Sequence, residues 1–142
     1  MRVGIKLIAA MLFTSFNVAA LQLDNALLDA IEFVESNANS FAVGDGGKSI
    51  GSFQITKEYV DDVNRIYNKR YTHNDRYDRR KSRQMTILYL LHYGRLYERR
   101  TNKEATYEVL SRIHNGGPNG MYKDSTIPYW VKVRNRIREH HL

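Results

Sequence analysis

Residues 34–55 read VESNANSFAVGDGGKSIGSFQI and mark a change from helix to turn and back to regular structure. Before this stretch, apolar side chains recur at helical spacing, and within it glycines interrupt the pattern. The pattern predicts a helix over residues 24–35 that ends on Glu35. A turn or short hairpin is predicted over residues 42–55. Two carboxylates, those of Glu35 and Asp45, therefore lie on either side of one helix end.

The rest of the chain predicts more helices. Residues 85–93, MTILYLLHY, carry apolar groups on nearly every side, which is typical of a buried central helix that Asn74 or Asp75 can start. Residues 114–120, HNGGPNG, predict a loop, and His92 is expected in or near the core. The fold class is mainly α, with one small irregular β-hairpin. The helical patterns after the hairpin cover residues 56–66, 76–98, 104–113 and 128–138.

The N-terminus has the pattern of a secretory signal peptide. MRVGIK supplies a basic start, LIAAMLFTSFN an apolar stretch, and Val18 and Ala20 the small residues before a cleavage point. We therefore expect residues 1–20 to be a signal peptide and residues 21–142 to be one secreted or periplasmic domain. The apolar run is too short for a stable membrane anchor, so no stable membrane insertion is expected after cleavage. An uncleaved anchor or a core helix is the alternative.

Charge and cysteine content limit the chemistry. The formal net charge of +7 favours anionic partners such as cell walls, acidic glycans, membranes or nucleic acid. The chain has no cysteine, so it has neither disulfides nor a thiolate metal site, and two terminal histidines make no metal site either. GDGGK lacks the spacing of a phosphate-binding loop, so no nucleotide is expected. We expect no metal and no organic cofactor.

The two carboxylates differ in their predicted surroundings. Glu35 falls on the shoulder of the apolar face formed by Leu27 and Ile31, whereas Glu32 is rotated further out. Partial desolvation disfavours a charged carboxyl and raises its pKa, while Asp45 among glycines is expected to remain solvated and ionised. Such a pair is typical of glycoside cleavage through an oxocarbenium-like transition state. The simpler alternative is a helix-end glutamate and a turn-forming aspartate.

Several segments, in the same order along the chain, resemble the catalytic block of the lysozyme and lytic transglycosylase superfamily. The C-terminal segments are similar to those of invertebrate-type lysozymes in particular, although those proteins are usually rich in cysteine. The resemblance implies a lysozyme-like α-domain in which a small hairpin forms the cleft. The matching segments are Glu35-Ser36, Asn39, Ala42, GSFQI at 51–55, QITKEYVDDV at 54–63, SRIHNGGPNG at 111–120 and STIPYWVKV at 125–133.

The resemblance also implies roles for individual residues. Glu35 would be the general acid and Asp45 the second carboxylate of a muramidase that hydrolyses the β-1,4 bond of peptidoglycan or a related N-acetylated glycan. The remaining positions would hold substrate. Ser49 and Gln54 would line the cleft floor, His114, Asn115 and Gly116 would face the scissile sugar, and Tyr129 is the aromatic residue of the last helix.

Two other functions remain open at this point. A lytic transglycosylase would use Glu35 almost alone and release anhydro products. A non-catalytic cationic module would bind cell wall or nucleic acid through the basic, tyrosine-rich tract at residues 65–83, although such a tract is usually a solvated basic face. Adhesion to an anionic cell-wall surface fits either an enzyme or a binding module. His114 could also be an ordinary loop residue that satisfies backbone groups.

Overall fold

The computed structural model of the protein describes residues 23–140. The predicted signal peptide, residues 1–20, lies outside the described residues. Within them the chain forms five α-helices and one two-stranded antiparallel sheet, which confirms the mainly α fold class. The elements are α1 (Asn25–Ser36), β1 (Val43–Gly44), β2 (Ser49–Ile50), α2 (Lys57–Tyr67), α3 (Arg79–Thr101), α4 (Tyr107–Gly116) and α5 (Ile127–Glu139).

Side-chain caps fix where four of these helices begin. Asp24 Oδ1 accepts a hydrogen bond from the Ala26 backbone N–H at 2.8 Å, as the sequence predicted for the start of α1. Such a cap contributes about 1 kcal/mol to helix stability. The start of α3 was predicted wrongly, because the Asp75 carboxylate accepts from the Thr72 N–H and caps a short 3-10 turn instead. The other three helices are capped by Thr56, Asp78 and Thr106.

The hairpin lies against the 3-10 turn at residues 73–77. A side chain at Gly51, whose φ is +82°, would place its Cβ 1.9 Å from the Arg76 backbone oxygen, so only glycine permits this approach. The buried guanidinium of Arg76 donates to the backbone oxygens of His73, Lys48 and Ile55 at 2.7, 3.1 and 3.2 Å. These contacts hold the hairpin in place through backbone groups rather than through a large apolar surface.

The hydrophobic core is shared by all five helices and the segment after β2. On α1 the predicted apolar face is buried, with Leu27 and Ile31 fully enclosed. On α3 none of residues 85–93 is exposed, as predicted for a central helix, whereas arginines on either side of that segment, such as Arg80 and Arg99, face solvent. His92 is partly buried at the edge of the core, as predicted. The largest core side chains are Phe53, Leu27, Leu28, Ile31, Ile55, Met85, Leu90, Leu110 and Ile113.

None of the helices within residues 23–140 is both long enough and apolar enough to cross a membrane.

Candidate active site

A cleft of about 630 Å³ opens where the end of α1, the hairpin, the start of α2 and the end of α4 meet. Gly116 and Tyr129 do not line it. The other predicted site residues do, so the fold brings together Glu35, Asp45, Ser49, Gln54, His114 and Asn115. The cleft is also lined by Ile55, Thr56, Glu58, Tyr59, Asp62, Tyr89, Gly117 and Pro118.

Glu35 lies in the last turn of α1 with its carboxyl largely withdrawn from water. Its side chain is 16% exposed, as its place on the shoulder of the apolar face predicted. The Glu35 Oε1 atom lies 3.4 Å from the Nε2 atom of His114, which reaches it from α4. The carboxyl is therefore held at the wall of the cleft by a group from a distant part of the sequence.

The prediction that residues 114–116 belong to a loop was wrong. They form the last turn of α4, which ends at Gly117, where φ is +84° and the backbone N–H donates to the Ile113 oxygen at 2.9 Å. The helix continues as far as the first glycine with a positive φ, which is Gly117 and not Gly116. His114 is therefore buried on a helix and is not a mobile loop residue.

The hydrogen bonds of His114 define which ring nitrogen carries the proton. Its Nε2 atom lies 3.1 Å from the Phe53 backbone oxygen, and its Nδ1 atom lies 3.2 Å from the Tyr59 hydroxyl. Because a carbonyl oxygen can only accept, Nε2 must be the protonated nitrogen, and Nδ1 accepts from Tyr59. The Nε2–H therefore faces the Glu35 carboxyl as well as the Phe53 oxygen.

Two tyrosine hydroxyls lie beneath the Glu35 carboxyl. Burial, and after it the negative charge of Glu35, raises the pKa of Tyr129 well above its ordinary value. The Tyr129 hydroxyl is buried near Glu35 without a hydrogen-bond partner of ordinary geometry, so its proton is available to that carboxyl. Burial also raises the pKa of Tyr59, and the neighbouring Tyr89 adds to that effect. Both hydroxyls thus remain neutral donors.

Asp45 also lines the cleft, in the turn between β1 and β2. It is exposed, has a φ of +50°, and accepts a hydrogen bond from the Ser49 hydroxyl at 2.5 Å. The solvated environment predicted for Asp45 is thus the one found. Ser49 itself is buried, so it serves as a fixed donor that orients the carboxylate across the hairpin.

Gln54 lines the cleft, but its side-chain amide is already engaged. Its Nε2 atom donates to the backbone oxygens of Ala42 and Gly51 at 3.1 and 2.9 Å. The Gln54 Oε1 atom lies 2.3 Å from the position that a Cβ atom at residue 44 would occupy, so it fills the space left by Gly44. The geometry therefore assigns Gln54 to bracing the hairpin that carries Asp45.

Gly116 lies behind the cleft wall. A Cβ atom there would come within 2.5 Å of the Thr126 Cγ2 atom, so this glycine permits the end of α4 to pack on residues 124–126. Asn115 is exposed and lines the cleft, and the lining continues through Gly117 and Pro118.

The acid with the least exposure is Glu32, contrary to the sequence prediction that it is rotated outward. Its side chain is 2% exposed, and it accepts from Arg79 Nε and Nη2 at 2.6 and 2.9 Å. The helical-wheel argument failed because the first residues of α3 reach that side of α1 and supply a cation, Arg79. This ion pair ties the helix that carries Glu35 to α3.

Sequence reasoning missed the end of the cleft furthest from α1. Glu58 and Asp62, one turn apart on α2, line it together with Tyr89 from α3. The spacing of Glu58 and Asp62 on one face with Tyr59 was a signal that could have been used. No local pattern could have indicated Tyr89, because its place depends on how α3 packs against α2.

The basic tract at residues 65–83 serves mainly to hold the fold together. Most of its cations are engaged by carboxylates or backbone oxygens: Arg65 pairs with Asp62, Arg76 binds backbone, Arg79 pairs with Glu32, Lys81 with Asp75 and Arg83 with Asp29. A polyanion would have to compete with these partners, which disfavours this tract as a nucleic-acid surface.

Residues 23–140 contain no candidate metal site. Over that range no three side chains of the metal-ligating types come together in an arrangement that could hold an ion.

Comparison with known proteins identifies similar folds and sequences. No family model matches the chain. A lysozyme of Ostrea edulis is 32% identical over 88 residues, which are 62% of this chain and 60% of the length of that relative. A chain in the crystal structure of Aeromonas hydrophila PliI in complex with Meretrix lusoria lysozyme superimposes with a TM-score of 0.67 and 26% identity. That match covers 80% of this chain and 89% of the other.

A further solved structure, Tapes japonica lysozyme, superimposes with a TM-score of 0.65 and 25% identity over 78% of this chain and 88% of that one. In fold and in sequence the chain is similar to members of the lysozyme superfamily. Within that superfamily, the similarity is to the invertebrate-type lysozymes of bivalves, as the sequence motifs predicted.

Proposed function

We propose that the protein is an exported muramidase that hydrolyses the β-1,4 bond between N-acetylmuramic acid and N-acetylglucosamine in peptidoglycan. One observation carries the proposal: a shielded carboxyl, Glu35, and a solvated carboxylate, Asp45, line the same cleft. Similarity to lysozymes over most of the chain supports the assignment. Export is proposed from the signal-peptide pattern of residues 1–20.

Glu35 acts as the general acid in this proposal. A carboxyl withheld from water and placed at a cleft wall is suited to protonate the oxygen that leaves the scissile bond. After the proton has left, the His114 N–H and the Tyr129 hydroxyl face a carboxylate and stabilise it. His114 is then a positioning residue, because it acts on the substrate only through Glu35.

Asp45 is the group that responds to the positive charge developing at the anomeric carbon. It either stabilises the oxocarbenium-like transition state or attacks that carbon to form a covalent intermediate, as in retaining glycosidases. The Ser49 hydrogen bond fixes the direction of its carboxylate. Asn115 is the exposed amide in the cleft that is placed to contact the sugar.

The proposal is tested by assaying purified peptidoglycan with the wild type, Glu35→Gln and Asp45→Asn. Glu35→Gln is expected to lower kcat by about 10²- to 10⁴-fold, which is the usual contribution of a general acid. Asp45→Asn is expected to lower it by about 10²-fold, since it removes a charge that stabilises the transition state. Glu139→Gln, an exposed acid at the end of α5, is the control and should behave as the wild type.

Mass spectrometry of the released fragments identifies the reaction. Hydrated reducing ends support hydrolysis, whereas anhydro ends together with an active Asp45→Asn variant would assign a lytic transglycosylase. Unchanged cleavage by Glu35→Gln would reject acid catalysis by this residue. Salt-sensitive binding of cell walls without any cleavage by the wild type would assign a binding module.

A further inference from the structure

A row of aromatic rings leads from the cleft onto the surface between α2 and α3. Tyr59 stacks on Tyr89 with ring centroids 3.7 Å apart, and Tyr89 lies 4.7 Å from Tyr93. His92 follows at 4.8 Å from Tyr93, and Tyr67 at 6.4 Å from His92. The first two rings line the cleft, while Tyr67 and His92 are partly exposed outside it.

The surface at the outer end of this row is continuous with the cleft. The Tyr93 hydroxyl donates to the carboxylate of Asp62, which lines the cleft. Asp62 also pairs with Arg65, whose side chain is mostly exposed. Asp62 therefore joins the lining of the cleft to the row of rings.

The outer end of the row is positively charged. Arg95 and Arg99, four residues apart on α3, are both exposed, and neither has an ion-pair partner in the part of the chain that the structure describes. Burial raises the pKa of Tyr67, and the charge of Arg95 opposes that rise. Burial lowers the pKa of His92; the carboxylate of Asp62 opposes this, and the charges of Arg99 and Arg65 add to it. The charges of Arg95 and Arg99 thus act on the two outer rings, those of Tyr67 and His92.

The fold itself gains little from this pair of cations. Like charges four residues apart on a helix destabilise it slightly. The acid between them, Glu98, is turned toward the loop before α4, where its Oε1 atom accepts from the Ala105 N–H at 3.1 Å. Arg99 benefits from its place in the last turn of α3, but Arg95 lies a turn earlier.

The cleft has the opposite charge. Its lining holds the carboxylates of Glu35, Asp45, Glu58 and Asp62, and no lysine or arginine is among its lining residues within the described chain. An anionic substituent of a bound glycan is therefore repelled from the cleft and attracted to the arginines beside it. In peptidoglycan the peptide stems branch from the muramic acid units and carry free carboxylates.

We propose that Arg95 and Arg99, together with the exposed edges of Tyr67 and His92, form a subsite outside the cleft for the carboxylates of the peptide stems. This surface, the stem subsite, rests on the proposed function, because the glycan must occupy the cleft for its stems to reach α3. The stem subsite makes the protein prefer peptide-bearing glycan to bare glycan. The arginines contribute charge and paired N–H donors, which suit carboxylates.

The test measures binding to insoluble peptidoglycan from which phosphodiester polymers have been removed, with its peptide stems either intact or cut off by an amidase. The Arg95→Gln/Arg99→Gln variant is compared with Lys132→Gln/Arg138→Gln, which removes the same charge from exposed positions of α5, a helix that packs on α1 and α4. All binding measurements use a Glu35→Gln background, so that the glycan is not degraded.

The Arg95→Gln/Arg99→Gln variant is expected to bind stem-bearing glycan about three- to tenfold more weakly, because it loses two exposed charge contacts. Its affinity for bare glycan is expected to remain that of the parent protein. In the otherwise wild-type background the same change is expected as a higher KM with an unaltered kcat on stem-bearing glycan. The α5 variant should show no selective loss.

Three results would overturn the stem subsite. They are equal binding of the parent protein to stem-bearing and bare glycan, an equal loss in the α5 variant, and a preference that appears only when phosphodiester polymers are left on the wall. If the wild type binds both glycans but cleaves neither, the proposed function is wrong, while the binding ratio still decides the stem subsite.

Discussion

Replacing Glu32 by glutamine is expected to loosen the attachment of α1 to α3, and α1 carries Glu35. The Glu32 carboxylate is almost fully buried and accepts two hydrogen bonds from Arg79. The Nη1 atom of Arg83 lies 3.8 Å from the Glu32 Oε2 atom. The glutamine keeps the shape of the side chain but loses its charge. The change therefore isolates the ion pair from the packing around it.

The expected cost is about 2–3 kcal/mol of unfolding free energy. Removing one partner of a buried pair typically costs about 3–5 kcal/mol, because it leaves an uncompensated charge. Here the charge left behind is that of Arg79, whose side chain is 61% exposed and can be hydrated, so the cost falls below that range. For a domain of this size the change corresponds to a fall in Tm of roughly 6–12 °C.

The cost is also expected to depend on pH. Burial would raise the pKa of Glu32, but the hydrogen bonds from Arg79 and Ser52 and the charges of Arg79 and Arg83 lower it below its ordinary value of 4.5. A carboxyl with a lowered folded-state pKa contributes its full stability above the unfolded-state value, and the contribution is lost as pH falls through the folded-state pKa. The difference between wild type and variant should thus shrink below about pH 4.5.

Denaturant unfolding of the wild type and Glu32→Gln at pH 7 and pH 3 measures both effects. Glu139→Gln, which removes an exposed carboxylate 3.5 Å from Arg136, is the control and should stay within about 0.5 kcal/mol of the wild type. A Glu32→Gln protein as stable as the wild type at pH 7 would refute the reasoning. A difference that stays undiminished at pH 3 would refute its electrostatic origin.

The other predictions concern the site and the hairpin. His114→Phe is expected to lower kcat by roughly 10- to 100-fold with KM nearly unchanged, because it keeps a ring but removes the N–H that holds Glu35; a raised KM with kcat intact would instead mean that His114 binds sugar. Gly51→Ala is expected to cost about 3 kcal/mol or more in unfolding free energy, since its Cβ would meet the Arg76 oxygen at 1.9 Å. Gly46→Ala, with φ of +64° and nothing within 4 Å, is its control in thermal unfolding and should cost about 1 kcal/mol.

Local patterns were sufficient to predict most of the helices. The start of α1 at Asp24 and the buried face with Leu27 and Ile31 depend on capping and on helical spacing, which neighbouring residues alone determine. The hairpin was also predictable, because its glycines and short apolar runs are a local signal. The prediction of Glu35 at the edge of a cleft succeeded for the same reason.

The errors arose where distant segments meet. Glu32 was expected to face solvent because a helical wheel does not contain Arg79, which lies on another helix. His114 was expected in a loop because its sequence is rich in glycine, whereas contacts with Tyr59 and Phe53 hold it on a helix. Gln54 lines the cleft as predicted, but the sequence did not indicate that the backbone oxygens of Ala42 and Gly51 engage its amide. Each error reflects a tertiary contact that no local signal encodes.

The buried guanidinium of Arg76 has a consequence for how the activity should respond to acidity. It holds the hairpin through the backbone oxygens of Lys48 and Ile55, and neither a guanidinium nor a carbonyl changes its protonation in the range where proteins remain folded. The hydrogen bonds that hold the loop with Asp45 in place therefore do not depend on pH. If acid or alkali abolishes activity while the protein stays folded, the cause should therefore be titration of the reacting groups. The hairpin that carries Asp45 should keep its conformation over that pH range.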